Sequence, residues 1–194
     1  IEMKAEAPGA IDEALDEVPE DIFPFFEIPI DRDCRGFVIA IAGNAETGGA
    51  AAKIRTGGVT PGAFPTSRDV AAFLHACIGA QVPFKATAGL HHPVRAEHAL
   101  TYEPGSARSV MHGFLNLFMA ASLTRFARLD LATTQAVLDE TDPAAFRFTD
   151  DGASWRNRTI DIVSLSRSRE TFALGFGSCS FDEPVADLRT LGLL

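Results

Sequence analysis

Two lysines stand in otherwise apolar stretches of this sequence, Lys53 in AAKIRTGG and Lys85 in VPFKATAG. Both stretches are predicted strands, spaced like those of one strand–helix–strand unit of about 30 residues. Sequential parallel strands usually lie side by side, so we expect the two ammonium groups to be close. A lysine that is desolvated, or lies beside another cation, loses basicity and becomes a nucleophilic amine. The spacing therefore favours Schiff-base chemistry on a carbonyl compound.

A structural role is the alternative for each lysine. A lysine at the rim of a sheet can pack its stem on apolar side chains and keep its ammonium group in water. It can also form a salt bridge with an acidic side chain such as Glu27. Because both lysines are placed at the same depth of neighbouring strands, the catalytic and the structural interpretations both stay open.

The elements that position the lysines follow a strand-then-helix rhythm. The segment SRDVAAFLHACIGA, between the two lysine strands, predicts an amphipathic helix because Val70, Phe73, Leu74 and Cys77 share one side. The other predicted strands are IEMKA, DIFPFFEIPI and FALGFGSCSF, and the other predicted helices are Gly9–Glu17, RGFVIAIAG and DEPVADLRTL.

The rhythm breaks after Arg95, and we expect residues 96–170 to form a mainly helical insertion. Helices are predicted at Ser109–Arg128, about Thr133–Glu140 and Thr159–Thr171, with TDPAAFRFTDDGASW as a loop.

The predicted fold class is α/β, with a parallel sheet covered on both faces and organised as a partial (β/α) barrel of the TIM type. The chain would supply about five of the eight strand–helix units that such a barrel needs. It begins on isoleucine, in a segment typical of a strand interior. We therefore expect residues 1–194 to be a single domain, the C-terminal portion of a longer barrel.

The composition of the chain excludes some classes of binding partner. The net charge of −9, with no long basic run, argues against nucleic acid and anionic membranes. No stretch reaches the roughly 18 apolar residues of a membrane span. The three cysteines are widely spaced and lack a CxxC pair, which favours reduced thiols in a cytoplasmic protein.

The lysine segments resemble a known family. Lys53, Thr56 and Gly57 match a K-x-x-T-G strand, and Phe84, Lys85 and Gly89 match a following F/V-K-x-x-x-G strand. Ahead of the last helix, FGSCS is similar to a small-residue phosphate loop of the type F-G-A-S-S. In these three segments the chain resembles deoxyribose-phosphate aldolase and related class I aldolases.

The resemblance implies roles for the matched residues. Lys53 would form the Schiff base, Lys85 would tune its pKa, and no cofactor would be needed. The small-molecule substrate would be anionic, since helix starts and arginines bind phosphate or carboxylate. Its candidate ligands are Arg55, Gly57, Gly58, Thr87, Arg95, Gly177, Ser178, Cys179 and Ser180. Arg55 departs from the family, which has a small residue there, and we expect Cys179 to be a small buried residue without a His–acid pair beside it.

The histidines have no family counterpart. We predict that His91 or His92 shuttles a proton, with His112, Asn116 and Glu27 as supporting residues. His112 and Asn116 share a helix face at i and i+4 spacing. No metal is expected, because no HxH or HExxH spacing is present.

These observations predict an aldolase-like lyase that acts on a small phosphorylated or carboxylated carbonyl compound. One alternative is a metal-dependent barrel enzyme that uses His91, His92 and His112, with the lysines stabilising an enolate. The other is a non-catalytic anion-binding or assembly domain, in which a homo-oligomer completes the barrel through its open sheet edges.

Overall fold

The protein is described here by a computed structural model, which covers residues 1–30, 33–43 and 49–194. Its helices are α1 Gly9–Glu17, α2 Arg35–Gly43, α3 Ser67–Ala80, α4 Phe114–Ala127, α5 Leu131–Asp139, α6 Ile162–Thr171 and α7 Asp182–Thr190. Its strands are β1 Glu2–Lys4, β2 Phe25–Glu27, β3 Ala51–Arg55, β4 Phe84–Thr87, β5 Ala96–Ala99, β6 Arg108–Met111, β7 Phe146–Thr149, β8 Gly152–Trp155, β9 Arg158–Asp161 and β10 Ala173–Gly177. In the described part of the chain, no helix has the length and apolar character needed to cross a membrane.

A five-stranded parallel sheet in the order β1-β2-β3-β4-β10 forms the centre of the fold. The first four strands are neighbours in sheet order as in chain order, which the strand–helix rhythm predicts. The α/β class with a parallel sheet is therefore confirmed. The predicted helix at RGFVIAIAG is confirmed as α2.

The two faces of this sheet differ in chemistry. One face carries Phe26, Ile54 and Phe84, each at most 1% exposed, and belongs to the hydrophobic core shared with the helices. On this face Phe73 of α3 packs edge-on against Phe84, with ring centroids 5.5 Å apart. The alternate residues, which point to the other face, include Glu27 and other charged side chains. The sheet thus departs from the expectation of apolar cover on both faces.

The segment between β4 and β10 contains two antiparallel sheets, β5-β6 and β7-β8-β9, besides its helices. The predicted helix at Ser109–Arg128 is wrong at its start, because Arg108–Met111 pairs with β5 and α4 begins only at Phe114. The predicted loop TDPAAFRFTDDGASW holds β7 and β8, and Thr159–Asp161 belongs to β9. Strands of four residues show too few alternations to reveal their period.

Asn116 links several parts of the segment between β4 and β10. Its side chain is fully buried; Nδ2 donates to the carbonyls of Val137 at 2.9 Å and Glu140 at 2.8 Å, and Oδ1 accepts from the Arg95 amide at 2.9 Å. These three contacts replace hydrogen bonds to water, so the buried amide is satisfied and avoids a desolvation cost. Asn116 therefore ties the end of α5 and the chain after β4 to α4.

The glycines of the two lysine motifs pack against each other where β3 and β4 end. The Thr56 hydroxyl donates to the Ala88 carbonyl at 2.7 Å, which draws the two loops together. A Cβ on Gly57 would lie 2.9 Å from the Gly89 Cα and 2.5 Å from an edge carbon of the Phe64 ring. Gly89 has φ +74°, a conformation that favours glycine. The spacing of the motifs thus has a structural cause, the close crossing of two backbones.

We predict that Gly57→Ala lowers the free energy of unfolding by about 1 to 3 kcal/mol, the usual cost of overpacking. The matched control is Gly62→Ala, because a Cβ there meets nothing within 4 Å. Urea unfolding followed by circular dichroism measures both variants. Equal midpoints for Gly57→Ala and Gly62→Ala would contradict the close crossing.

Candidate active site

Four charged side chains meet on the polar face of the parallel sheet. Glu27, Lys53 and Lys85 form one row, because strand register pairs Glu27 with Lys53 and Lys53 with Lys85. Lys53 Nζ donates to Glu2 Oε2 at 2.5 Å and lies 2.8 Å from Glu27 Oε2. Lys85 Nζ donates to the other oxygen of Glu2. We call Glu2, Glu27, Lys53 and Lys85 the lysine–glutamate cluster.

The expected closeness of the two ammonium groups is confirmed, since both contact one carboxylate. The predicted direction of the Lys53 pKa is wrong. Burial lowers that pKa, but hydrogen bonds from the ammonium group to Glu2 and Glu27 outweigh burial and raise it above the ordinary lysine value. Glu2, bound by both lysines, has its carboxyl pKa lowered to about 2. The carboxylates offset the repulsion that Lys85 would otherwise exert on Lys53.

Glu2 is the member of the cluster that sequence reasoning missed, whereas Glu27 was foreseen as a partner. The strand IEMKA did contain a clue, because Glu2 and Lys4 alternate onto one side of it. A strand buried on both faces would carry no charged residues on either side. Lys85 is held further by the Phe25 ring, whose centroid lies 4.4 Å from Nζ.

Above the cluster, the carboxyl ends of β3, β4 and β10 bring Arg55, Thr87 and Gly177 together. Register pairs Arg55 with Thr87 and Thr87 with Gly177. Arg55 is exposed and lines two cavities, one of about 910 Å³ that includes Gly57 and Gly58 and one of about 650 Å³ that includes Thr87 and Gly177. No carboxylate among the described residues lies within 4.0 Å of the Arg55 guanidinium. Among the described residues, no carboxylate therefore competes with an anionic ligand for this guanidinium.

His91 and Cys179 meet in the 650 Å³ cavity. The Cys179 Sγ lies 3.6 Å from Nδ1 and 3.8 Å from Nε2 of His91. Glu183 Oε2 lies 3.3 Å from Nδ1, and the Ser178 hydroxyl lies 3.3 Å from the same nitrogen. The prediction for Cys179 is wrong on both counts, because the thiol is exposed and contacts His91, which in turn contacts Glu183.

His92 is held by a different acid. Its Nδ1 lies 2.5 Å from Asp187 Oδ2 of α7, and its ring stacks on His98 with centroids 3.3 Å apart. Burial and the nearby His92 lower the pKa of His98. His92 thus joins the loop after β4 to α7 and to the β5-β6 hairpin.

Arg95 and His112 lie together away from Arg55. Nε2 of His112 donates to the Pro65 carbonyl at 2.8 Å, and Nδ1 faces Arg95 Nη1 at 3.2 Å. Burial lowers the pKa of the His112 imidazole. Arg95 also lies 3.7 Å from Asp139. Both ring nitrogens of His112 are engaged, so the expected grouping of His112 with His91 and His92 is not formed.

Metal ligands do not cluster in the described part of the chain. Within residues 1–30, 33–43 and 49–194, no three side chains of the His, Cys, Asp or Glu type are grouped so as to hold a metal ion. Two of the histidines, His91 and His92, instead contact carboxylates of α7.

The predicted phosphate loop leads from β10 into α7. Ser180 Oγ accepts from the Glu183 amide at 3.1 Å, and the Ser180 amide donates to Ser178 Oγ at 3.3 Å. These amides are therefore engaged within the loop. Asp182 and Glu183 occupy the first turn of α7. Their negative charges interact favourably with the helix dipole and would repel a bound phosphate. An anionic ligand here would depend on Arg55 for its counter-charge.

No protein-family model, no curated protein and no solved structure matches this chain. The resemblance to class I aldolases therefore stays a prediction based on the three motifs. Two of those motifs do share one site, because Lys53 and Lys85 are paired in register.

We predict that the cluster makes stability sensitive to acid. Because the Glu2 pKa falls from 4.5 to about 2 on folding, its contribution is present above about pH 4.5 and is lost as pH falls toward 2. Urea midpoints of the unmodified protein should fall more between about pH 6 and about pH 3 than those of Glu2→Gln. The exposed Glu6 supplies the control, and Glu6→Gln should keep the full acid sensitivity. Equal losses in all three proteins would contradict the pKa shift.

Proposed function

We propose that this chain is part of a (β/α) barrel and acts as an aldolase-like lyase, forming a Schiff base on Lys53 with a small phosphorylated or carboxylated carbonyl compound. The observation that supports it is the meeting of two lysine ammonium groups on one carboxylate, from adjacent strands of a parallel sheet. Such an arrangement gives a buried amine a defined position and a second cation nearby.

The barrel interpretation rests on topology and curvature. Parallel strands that follow chain order, with helices on the apolar face, are the arrangement of a (β/α) barrel. Glu2 on β1 and Lys85 on β4 are three strand spacings apart, about 14 Å along a flat sheet, yet their side chains are in contact. Contact across that span favours a sheet that is concave on the charged face, which would then be the barrel interior.

The proposed chemistry begins at the Lys53 amine. The neutral amine attacks the carbonyl carbon, and loss of water from the adduct leaves an imine that withdraws electrons from the neighbouring carbon–carbon bond. Arg55, two residues further along β3 and about 7 Å away on the same face, would hold the anionic group of the substrate. A proton shuttle through His91 or His92 stays a prediction; both line the cavity that Arg55 lines.

The experiment is reductive trapping. Incubation with glycolaldehyde and borohydride at alkaline pH, where more of the Lys53 amine is neutral, followed by peptide mass spectrometry, should label Lys53. Lys53→Met should lose the adduct, whereas Lys4→Met, which removes an exposed lysine of neighbouring β1, should keep it. A panel of small aldehydes that leaves Lys53 unlabelled would overturn the imine mechanism.

The pH dependence of trapping follows from the raised Lys53 pKa. Below that pKa the fraction of Lys53 in the neutral form increases about tenfold per pH unit. The rate of labelling should therefore rise from neutral to alkaline pH. Glu27→Gln removes one carboxylate from the ammonium group, lowers the Lys53 pKa and should speed labelling at about pH 8. Slower labelling of Glu27→Gln would contradict this electrostatic account.

The second candidate is a non-catalytic anion-binding or assembly domain. It is favoured by the pairing of both lysines with carboxylates, which gives the cluster two positive and two negative charges. A trapping result that leaves Lys53 unlabelled and a solution mass of two chains would support this candidate.

A further inference from the structure

The loop between β10 and α7 places a thiol beside an imidazole and a carboxylate. The Cys179 Sγ lies beside the His91 ring, 3.6 Å from Nδ1 and 3.8 Å from Nε2, and Glu183 Oε2 lies 3.3 Å from Nδ1. The Tyr102 hydroxyl donates to Glu183 Oε2 at 3.1 Å, so this carboxylate oxygen contacts both Tyr102 and His91. These three elements, the β4 loop, the β5-β6 hairpin and the start of α7, converge on one group.

The order of these groups is that of an activated nucleophile. Glu183 favours the tautomer with hydrogen on Nδ1, which leaves the Nε2 lone pair to accept the thiol proton. A nucleophile, a base and a third group that orients the base form the usual arrangement for covalent catalysis. The side chains of His91 and Glu183 are 20% and 26% exposed, so water only partly screens the interaction between them.

The cavity around the thiol indicates the class of ligand. It measures about 650 Å³, within the range of small-molecule sites. Its larger aliphatic and aromatic side chains include Val59, Phe64, Leu100 and Met111. Its guanidinium comes from Arg55, which has no carboxylate within 4.0 Å among the residues described. A ligand that suits this lining has a compact apolar body and an anionic group.

We propose that Cys179, His91 and Glu183 form a nucleophilic thiol site for small anionic carbonyl compounds, with Arg55 binding the anionic group. In the step, the thiol proton moves to Nε2 of His91 and the sulfur forms a bond to the carbonyl carbon. The carbonyl π electrons move to oxygen, which takes the proton back from His91. The product is a hemithioacetal, and the step needs no oxidant and no leaving group.

The other cysteines provide an internal contrast. Cys34 is 6% exposed and Cys77 is fully buried, and burial raises the pKa of both thiols. Neither lines the 650 Å³ cavity. Chemistry at Cys179 can therefore be measured in the intact chain without removing the other two.

Alkylation rates test the activation of the thiol. Iodoacetamide, read by peptide mass spectrometry at neutral pH, should modify Cys179 about tenfold or more faster than it modifies N-acetylcysteine. His91→Asn should reduce the rate to that of N-acetylcysteine, and Glu183→Gln should give an intermediate rate. His75→Asn is the control, because His75 bonds to Thr134 in the helical layer and should leave the rate unchanged.

The anion preference is tested with iodoacetate, which has nearly the shape of iodoacetamide and a negative charge. The ratio of the iodoacetate rate to the iodoacetamide rate at Cys179 should exceed the same ratio for N-acetylcysteine. Arg55→Gln should lower the ratio at Cys179 to the N-acetylcysteine value. Circular dichroism confirms that each variant is folded. A Cys179 rate equal to that of N-acetylcysteine and unchanged in folded His91→Asn would overturn the site, and an unchanged ratio in Arg55→Gln would overturn the anion class.

Discussion

A buried ammonium group needs an opposite charge, and this constraint organises the parallel sheet. Lys53 is 8% exposed, and the residues before and after it in β3 are apolar. An isolated charge at this position would carry a large desolvation cost. Glu2 and Glu27 supply the compensation from the two preceding strands. The register of β1, β2 and β3 is therefore set by charge on one face and by apolar packing on the other, since a slip of one residue would exchange the two faces.

The same constraint explains why one face of the sheet differs from a parallel sheet that is apolar on both sides. Charged rows are tolerated only where partners stand opposite in register, as Glu27, Lys53 and Lys85 do. The resulting cluster is compact, with Lys85 completing it over the Phe25 ring. Burying these charged groups costs desolvation free energy that a row of apolar side chains would not cost, whether the cluster serves chemistry or assembly.

Local patterns in the sequence were enough to predict the lysine strands, the helix between them and the pairing of the two lysines. The partner Glu2 was not predicted, because its contact with Lys85 depends on the assembly of four strands. Cys179 was expected to be buried; its actual neighbours come from the loop after β4 and from α7, which no local pattern relates. The strand at Arg108–Met111 was mistaken for helix because it is short and leads directly into α4. The histidines were predicted as one group, but burial and the Pro65 carbonyl separate His112 from the others.

The ion pairs of the cluster join residues far apart in the chain. Lys53 and Glu2 are separated by 51 positions in the chain, and Lys85 and Glu2 by 83. Each ion pair therefore closes a long loop, and the chain must lose conformational entropy before the contact can form. The helices and hairpins, by contrast, close within a few residues. Contacts of such long range slow folding, which makes the Glu2–Lys85 pair a marker of the completed sheet. The charges on this face would then remain hydrated until the fourth strand has docked.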